Sequence, residues 1–248
     1  MLRKGILLLV LPGLVGASLW ARQPPMDGDA QVVAYEVDGQ TQQLELYWKD
    51  DNGQLLSNIQ RLKDWLNGRG RRLVFAANAG MFNPQHEPQG ILVQGFKLVT
   101  PLDTEAGRGN FYLRPNGVFY TTADGRAGVC MTEEFGAKKK VKFATQSGPM
   151  LLIDGQVHPA FGHESANLNI RNGVGILPNG HALFAMSKGK VSFYTFARYF
   201  ADRGCRNALY LDGAISRTYC PAAGWVQTDG DFGVMVGVTE RLDKPTTR

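Results

Sequence analysis

Beyond the N-terminal segment, the apolar runs of this 248-residue chain are short, and a glycine-bearing turn cuts off one after another. Asp38-Gly39, Gln94-Gly95, Pro115-Asn116-Gly117, Asp154-Gly155 and Pro178-Asn179-Gly180 carry the turn chemistry: glycine accepts positive φ, and Asn, Asp and Pro pre-shape the adjoining backbone. Runs of that length suit strands and are too brief for most helices. With 30 glycines and 12 prolines, a core of long helices is ruled out and a β-rich one remains.

Residues 32–37 and 43–48 alternate about Asp38-Gly39 and read as a hairpin, and residues 91–122 read as a β-meander. Further strands are expected at 72–77, 141–145, 208–211 and 233–238. Two stretches carry helical spacing instead. Leu55, Ile59, Leu62 and Leu66 predict an amphipathic helix over 54–67, stopped by Gly68. Ser192 is placed to cap a helix over 193–203, closed by Gly204. The expected fold class is therefore α/β in the broad, α+β sense: one β-rich mixed-sheet domain with a few helices, spanning 31–248.

The N-terminus reads as an export signal. Arg3 and Lys4 precede an apolar run from Gly5 to Trp20, shorter than the roughly 20 residues a spanning helix needs. Residues 1–21 are thus a signal peptide or an N-terminal anchor, and 22–30 a polar tether. This places the domain in the periplasm or outside the cell, with membrane association through the N-terminal segment as the alternative to its cleavage. The formal charge of +5 comes from scattered residues; Lys138-Lys139-Lys140 is the lone basic run, so nucleic acid is not an expected partner. In an oxidising compartment Cys205 and Cys220, the pair nearest in sequence, are the first choice for a disulfide, with three buried thiols including Cys130 as the other reading. No CxxC or Cys/His zinc spacing occurs, and neither a metal nor a cofactor is expected.

Three apolar strands each stop on a small polar cluster: Asn78-Ala79-Gly80, Gln146-Ser147-Gly148 and Asp212-Gly213. A buried strand delivers the residues beyond it to the sheet rim, where a rigid backbone holds polar side chains in a cleft. The plain alternative is that these residues are only turn formers. Side chains of this kind, joined by Arg171, suit polyhydroxylated or phosphorylated carbon: carboxylates act as acid, base or nucleophile, amides bind hydroxyls, and Arg holds phosphate. Gln146-Ser147-Gly148 is not the Gly-x-Ser-x-Gly elbow, which argues against a serine hydrolase. Asn78, Ser147, Arg171 and Asp212 are expected to converge on one cleft, either because the three strands run in the same direction and share one edge or because their loops fold over to meet. His86, His158 and His163 are secondary candidates, and Asp154, Glu164 and Glu87 are candidates for a second carboxylate.

The segments 78–82, 144–151, 170–175 and 208–216 together resemble the phosphodiester glycosidase domain family, in particular its bacterial branch. That family includes the lysosomal uncovering enzyme, which removes N-acetylglucosamine from a mannose-6-phosphate phosphodiester. The resemblance implies hydrolysis of a sugar phosphodiester or related glycan, with Asp212, Arg171 and Asn78 in catalytic positions and Gly80, Gln146, Ser147, Gly148, Gly213 and Ser216 binding substrate. Where the family usually carries Asp-Gly-Gly-Gly-Ser, this chain has Asp212-Gly213-Ala214-Ile215-Ser216. Ala and Ile disfavour positive φ, so a loop built on left-handed glycines would be changed here. A non-catalytic envelope domain that binds glycan or cell-wall phosphodiesters is the rival reading.

Overall fold

A computed structural model describes residues 31–136 and 140–242. The signal or anchor at 1–21, the tether at 22–30, Lys138, Lys139 and residues 243–248 lie outside the described residues. The first half contains β1 (Val32–Val37), β2 (Gln43–Tyr47), α1 (Ile59–Asn67), β3 (Arg71–Asn78), β4 (Leu92–Gln94), β5 (Lys97–Thr100), β6 (Gly117–Thr122), β7 (Ala127–Met131) and α2 (Thr132–Phe135). It is followed by β8 (Val141–Ser147), β9 (Met150–Ile153), β10 (Gln156–Val157), β11 (Asn172–Ile176), β12 (Ala182–Ser187) and α3 (Phe193–Ala201). The chain closes with β13 (Ala208–Tyr210), β14 (Thr218–Cys220), β15 (Trp225–Val226) and β16 (Met235–Arg241).

The strands form three sheets, ordered β1-β12-β11-β13-β9-β10, β15-β14-β3-β16-β2 and β5-β4-β8-β6-β7. The domain is β-rich α+β, as its turn-punctuated sequence leads one to expect. Phe184 of the first sheet, Phe75 of the second and Phe119 of the third meet in the centre, with ring centroids 5.5 Å and 5.4 Å from Phe184. Tyr35 stacks on Phe75 at 4.7 Å. Such rings bury large apolar areas and favour tilted or offset contacts, so this cluster joins the three sheets into one core. Helix α1 covers the second sheet with Ile59, Leu62 and Leu66 against Leu73 and Met235, each side chain contributing roughly 1.5–3 kcal/mol by leaving water. Helix α3 covers the first sheet through Phe196 and Phe200.

Several expectations are corrected. The Asp38 turn forms, with the Thr41 and Gln42 N–H groups donating to the Asp38 carbonyl, but β1 pairs with β12 and β2 with β16. The turn serves as a crossover between sheets and not as a hairpin. The stretch 91–122 is likewise no meander, because β8 enters between β4 and β6. Helix α1 begins at Ile59 because Asn58 caps it, accepting from the Arg61 N–H at 2.9 Å, while Leu55 bridges to Lys49. The Ser192 cap forms as expected, accepting from the Thr195 N–H. All three cysteines are free and buried. Cys205 packs in the α3 cluster and Cys220 in the central one, so the pair nearest in sequence is divided between two parts of the core.

Candidate active site

Strands β3, β8 and β13 carry the three polar clusters, and they belong to three different sheets. Among the described residues every strand ladder is antiparallel. The expected parallel edge therefore does not exist. Backbone and side-chain bonds join the ends of β3 and β13 instead, and Gly80 packs against β8.

Asn78, the last residue of β3, is 1% exposed. Its amide donates to the Asp212 carbonyl and accepts from the Arg217 N–H at 3.1 Å, and its own carbonyl accepts from Asn172 at 2.9 Å. One residue on, the Ala79 carbonyl accepts from the Asp212 N–H at 3.1 Å. Gly80 then runs against the third sheet: a Cβ there would lie 2.0 Å from Thr145 Oγ1 and 2.6 Å from the Gln146 carbonyl. Absence of a side chain is what allows this approach.

The Gln146 side chain is enclosed. Its carbonyl accepts from the N–H groups of Ile91 and Asp103, and its NH2 donates to the Asp103 carbonyl and Thr132. Its amide thus fastens the 91–103 segment to β8, while Ser147 beside it keeps a buried hydroxyl with no hydrogen-bond partner among the described residues. Gly148 follows in a tight place, where a Cβ would meet the Phe111 carbonyl at 2.6 Å.

Asp212 is half-buried at the junction, the second residue after β13. Behind it, Gly213–Ile215 forms a 3-10 turn, closed by Ser216, whose hydroxyl donates to the Gly213 carbonyl at 3.0 Å. The turn is a right-handed 3-10 one. Glycine is required at 213 for space: a Cβ would stand 1.8 Å from the Tyr210 hydroxyl oxygen.

Tyr210 links Asp212 to Arg171. Its ring lies 5.6 Å from the Arg171 guanidinium and its hydroxyl packs against Gly213; burial raises its pKa, Arg171 and Gly213 draw it down, and the Asp212 charge pushes it up. Arg171 is 1% exposed, with Nε donating to the Val191 carbonyl at 2.9 Å and one Nη to the Asn167 carbonyl at 2.7 Å. Its guanidinium lies 3.5 Å above the Phe193 ring. Burial lowers its pKa, with Tyr210 acting the other way, and an arginine in this setting remains a cation. Its positive charge is thus buried, with Asn167, Val191 and Phe193 around the guanidinium.

The secondary candidates are dispersed. His158 stacks on Phe161 and its pKa is lowered by burial; His163 lies tilted against Tyr194; His86 stacks on Phe82 and pairs with Asp231 at 2.7 Å. Asp154 pairs with Arg206, and its N–H bonds Asn207 at the start of β13, the end of that strand away from Asp212. Glu87 bonds Asn83, and Glu164 is exposed. Three further residues of the junction were not singled out as site residues by sequence: Asn172, Tyr210 and Arg217. Arg217 holds Asp229 at 2.9 Å while its N–H is fixed by Asn78. Only Asn172 had a signal, its place in Asn169-Ile170-Arg171-Asn172-Gly173.

Residues 71–237 match the sequence family described as phosphodiester glycosidase. The YigE protein of Escherichia coli strain K12 is 36% identical over 216 residues, which cover 87% of this chain and 84% of that protein. Among solved structures, the catalytic domain of zebrafish N-acetylglucosamine-1-phosphodiester alpha-N-acetylglucosaminidase, auto-inhibited by its pro-peptide, is similar with a TM-score of 0.55 and 13% identity, covering 85% of this chain and 89% of that one. A Burkholderia pseudomallei K96243 protein gives a TM-score of 0.54 at 13% identity, covering 84% and 73%. At that identity the two structures establish a shared fold.

Proposed function

The chain belongs to the phosphodiester glycosidase family, and from that premise we propose that it is an exported hydrolase that cleaves a sugar-1-phosphodiester. The observation that carries this reading is the half-buried Asp212 at the point where the ends of β3 and β13 are bonded together and Gly80 packs against β8. Cleaving the bond between C1 and the phosphate oxygen develops oxocarbenium character at C1, and a carboxylate held beside it stabilises that charge or attacks directly. Water supplies the hydroxyl that ends on C1, and the phosphate departs as a monoester that needs little help from a general acid. A single well-placed carboxylate suits such a leaving group.

Arg171 offsets the phosphate charge in this reading. Its buried guanidinium acts from near the Tyr210 ring, and Asn78 fixes the backbone on which Asp212 rides. Export rests on the basic start and short apolar run of residues 1–21.

The test is Asp212→Asn assayed on a panel of sugar-1-phosphodiesters, with wild-type turnover in labelled water placing the solvent oxygen on the sugar. Loss of turnover with unchanged thermal unfolding is expected. Unchanged turnover removes Asp212 from the mechanism, and label in the phosphate means P–O cleavage. Calorimetric binding without any product would favour the binding domain.

A further inference from the structure

The hairpin joining β4 to β5 departs from what folding alone favours. Gln94 pairs with Lys97, so the loop consists of Gly95 and Phe96, and both have positive φ, 54° and 70°. Two-residue loops of this handedness favour Asn-Gly, Asp-Gly or Gly-Gly, because a Cβ is disfavoured in the left-handed region and a bulky ring gains nothing there by itself. Phe96 nevertheless occupies the second position and is 56% exposed. Leu98, the second residue of β5, is 59% exposed. Neither belongs to any of the four buried clusters.

The segments that carry the tip hold one sign of charge, and the acids that share a hollow with Lys142, Asp124 and Glu45, are paired with Arg126 and Arg71. Strand β5 is the edge of its sheet, and the Phe96 N–H donates to the Lys142 carbonyl at 2.9 Å, which sets the tip against the start of β8. Residues 91–102 and 140–149 together contain Lys97, Lys140 and Lys142 and no acid. Exposed apolar side chains at a protruding tip, ringed by lysines, combine the two attractions that hold a protein at an anionic bilayer: burial of apolar surface near the headgroups and Coulombic attraction to them.

We infer that the Gly95-Phe96 tip is a membrane-docking element, which inserts Phe96 and Leu98 into the interface of an anionic phospholipid surface while Lys97, Lys140 and Lys142 face the headgroups. Strand β8 carries Lys142 near one end and Ser147 at the other, about 17 Å away at roughly 3.4 Å per residue. Docking by the tip leaves the Asp212 junction facing away from the lipid. The inference is independent of the hydrolytic reading and of the N-terminal segment.

The full chain carrying Phe96→Trp, read as a difference spectrum against wild type, reports on the tip itself. Vesicles of phosphatidylethanolamine and phosphatidylglycerol should shift the added emission to the blue, brominated acyl chains should quench it, and high salt or phosphatidylcholine vesicles should weaken the effect. In parallel, Phe96→Asn installs a residue the turn prefers, so its thermal midpoint should equal or exceed that of wild type while its affinity for the anionic vesicles falls about tenfold or more. The proposal is overturned if the Trp emission ignores vesicles, or if Phe96→Asn binds them as wild type does. An emission shift that grows with protein concentration without lipid would make the tip a self-association surface, and overturns it equally.

Discussion

Asn78 holds the junction together with an amide that donates on one side and accepts on the other, so replacing it with a carboxyl of the same shape tests the whole arrangement. In Asn78→Asp one oxygen still accepts from the Arg217 N–H. The other faces the Asp212 carbonyl and has no hydrogen to give unless it is protonated. At 1% exposure the ionised form would also be a buried charge without a partner, which costs several kcal/mol. The folded variant should therefore take up a proton and restore the bond to Asp212. Its folded pKa is then raised above the ordinary Asp value near 3.9, so the variant matches wild type most closely below that pH and weakens as pH rises. Each pH unit costs about 1.4 kcal/mol, giving a deficit of roughly 4 kcal/mol at pH 7 and about 1 kcal/mol at pH 4.5, provided the folded pKa exceeds 7. Urea denaturation of variant and wild type at both pH values measures the two differences. A variant as stable as wild type at pH 7, or a deficit that is the same at both, would refute the role given to the Asn78 amide.

Gly213→Ala places a Cβ 1.8 Å from the Tyr210 hydroxyl oxygen and 2.4 Å from its ring carbon, and should cost about 1–3 kcal/mol of stability by overpacking. By moving the Asp212 backbone it should lower kcat on any sugar-1-phosphodiester substrate more than it raises KM; steady-state kinetics and thermal melts check both. Unreduced protein in denaturant should titrate three thiols with a disulfide reagent. In the native state Cys205 should resist alkylation at pH 8, because burial pushes its pKa up to about 11.

Features of this fold that depend on a few neighbouring residues can be read from the sequence. Asp154-Gly155 and Pro178-Asn179-Gly180 turn β9 into β10 and β11 into β12 where turn chemistry places them, and Ser192 caps α3 through its own side chain. What escapes is pairing between distant strands. Residues 32–47 have the alternation of a hairpin and its turn, yet Val33 sits opposite Met186 and Leu46 opposite Val236. Alternation fixes which face of a strand is buried and is silent on which strand lies beside it. The insertion of β8 between β4 and β6 is of the same kind.

The candidate site divides along the same line. Asn78, Gln146 and Asp212 are visible because apolar strands stop on them. Tyr210 is hidden because an aromatic residue within a short apolar run looks like core, and its ring is indeed 2% exposed; only its hydroxyl, packed against Gly213, ties it to the junction. Arg171 is visible as a cation but not as a buried one. The sequence reasoning expected the clusters to converge through parallel strands or through loops folding over to meet, and the structure reaches a similar gathering with antiparallel ladders in separate sheets. Sheet hydrogen bonds cannot bridge those sheets at the junction. Between the first and second sheets the polar residues at the strand ends do so instead, Asn78 to Asp212 and Asn172 to Asn78, with the Ala79 carbonyl accepting from the Asp212 N–H. Such groups must find partners once buried, and here the available partners lie on the neighbouring sheet. Two of the residues that suggest chemistry in the sequence, Asn78 and Asp212, are therefore also residues that fasten the first sheet to the second. Asp212, half-buried where its neighbours are enclosed, is the carboxylate that this fastening leaves at the surface of the junction.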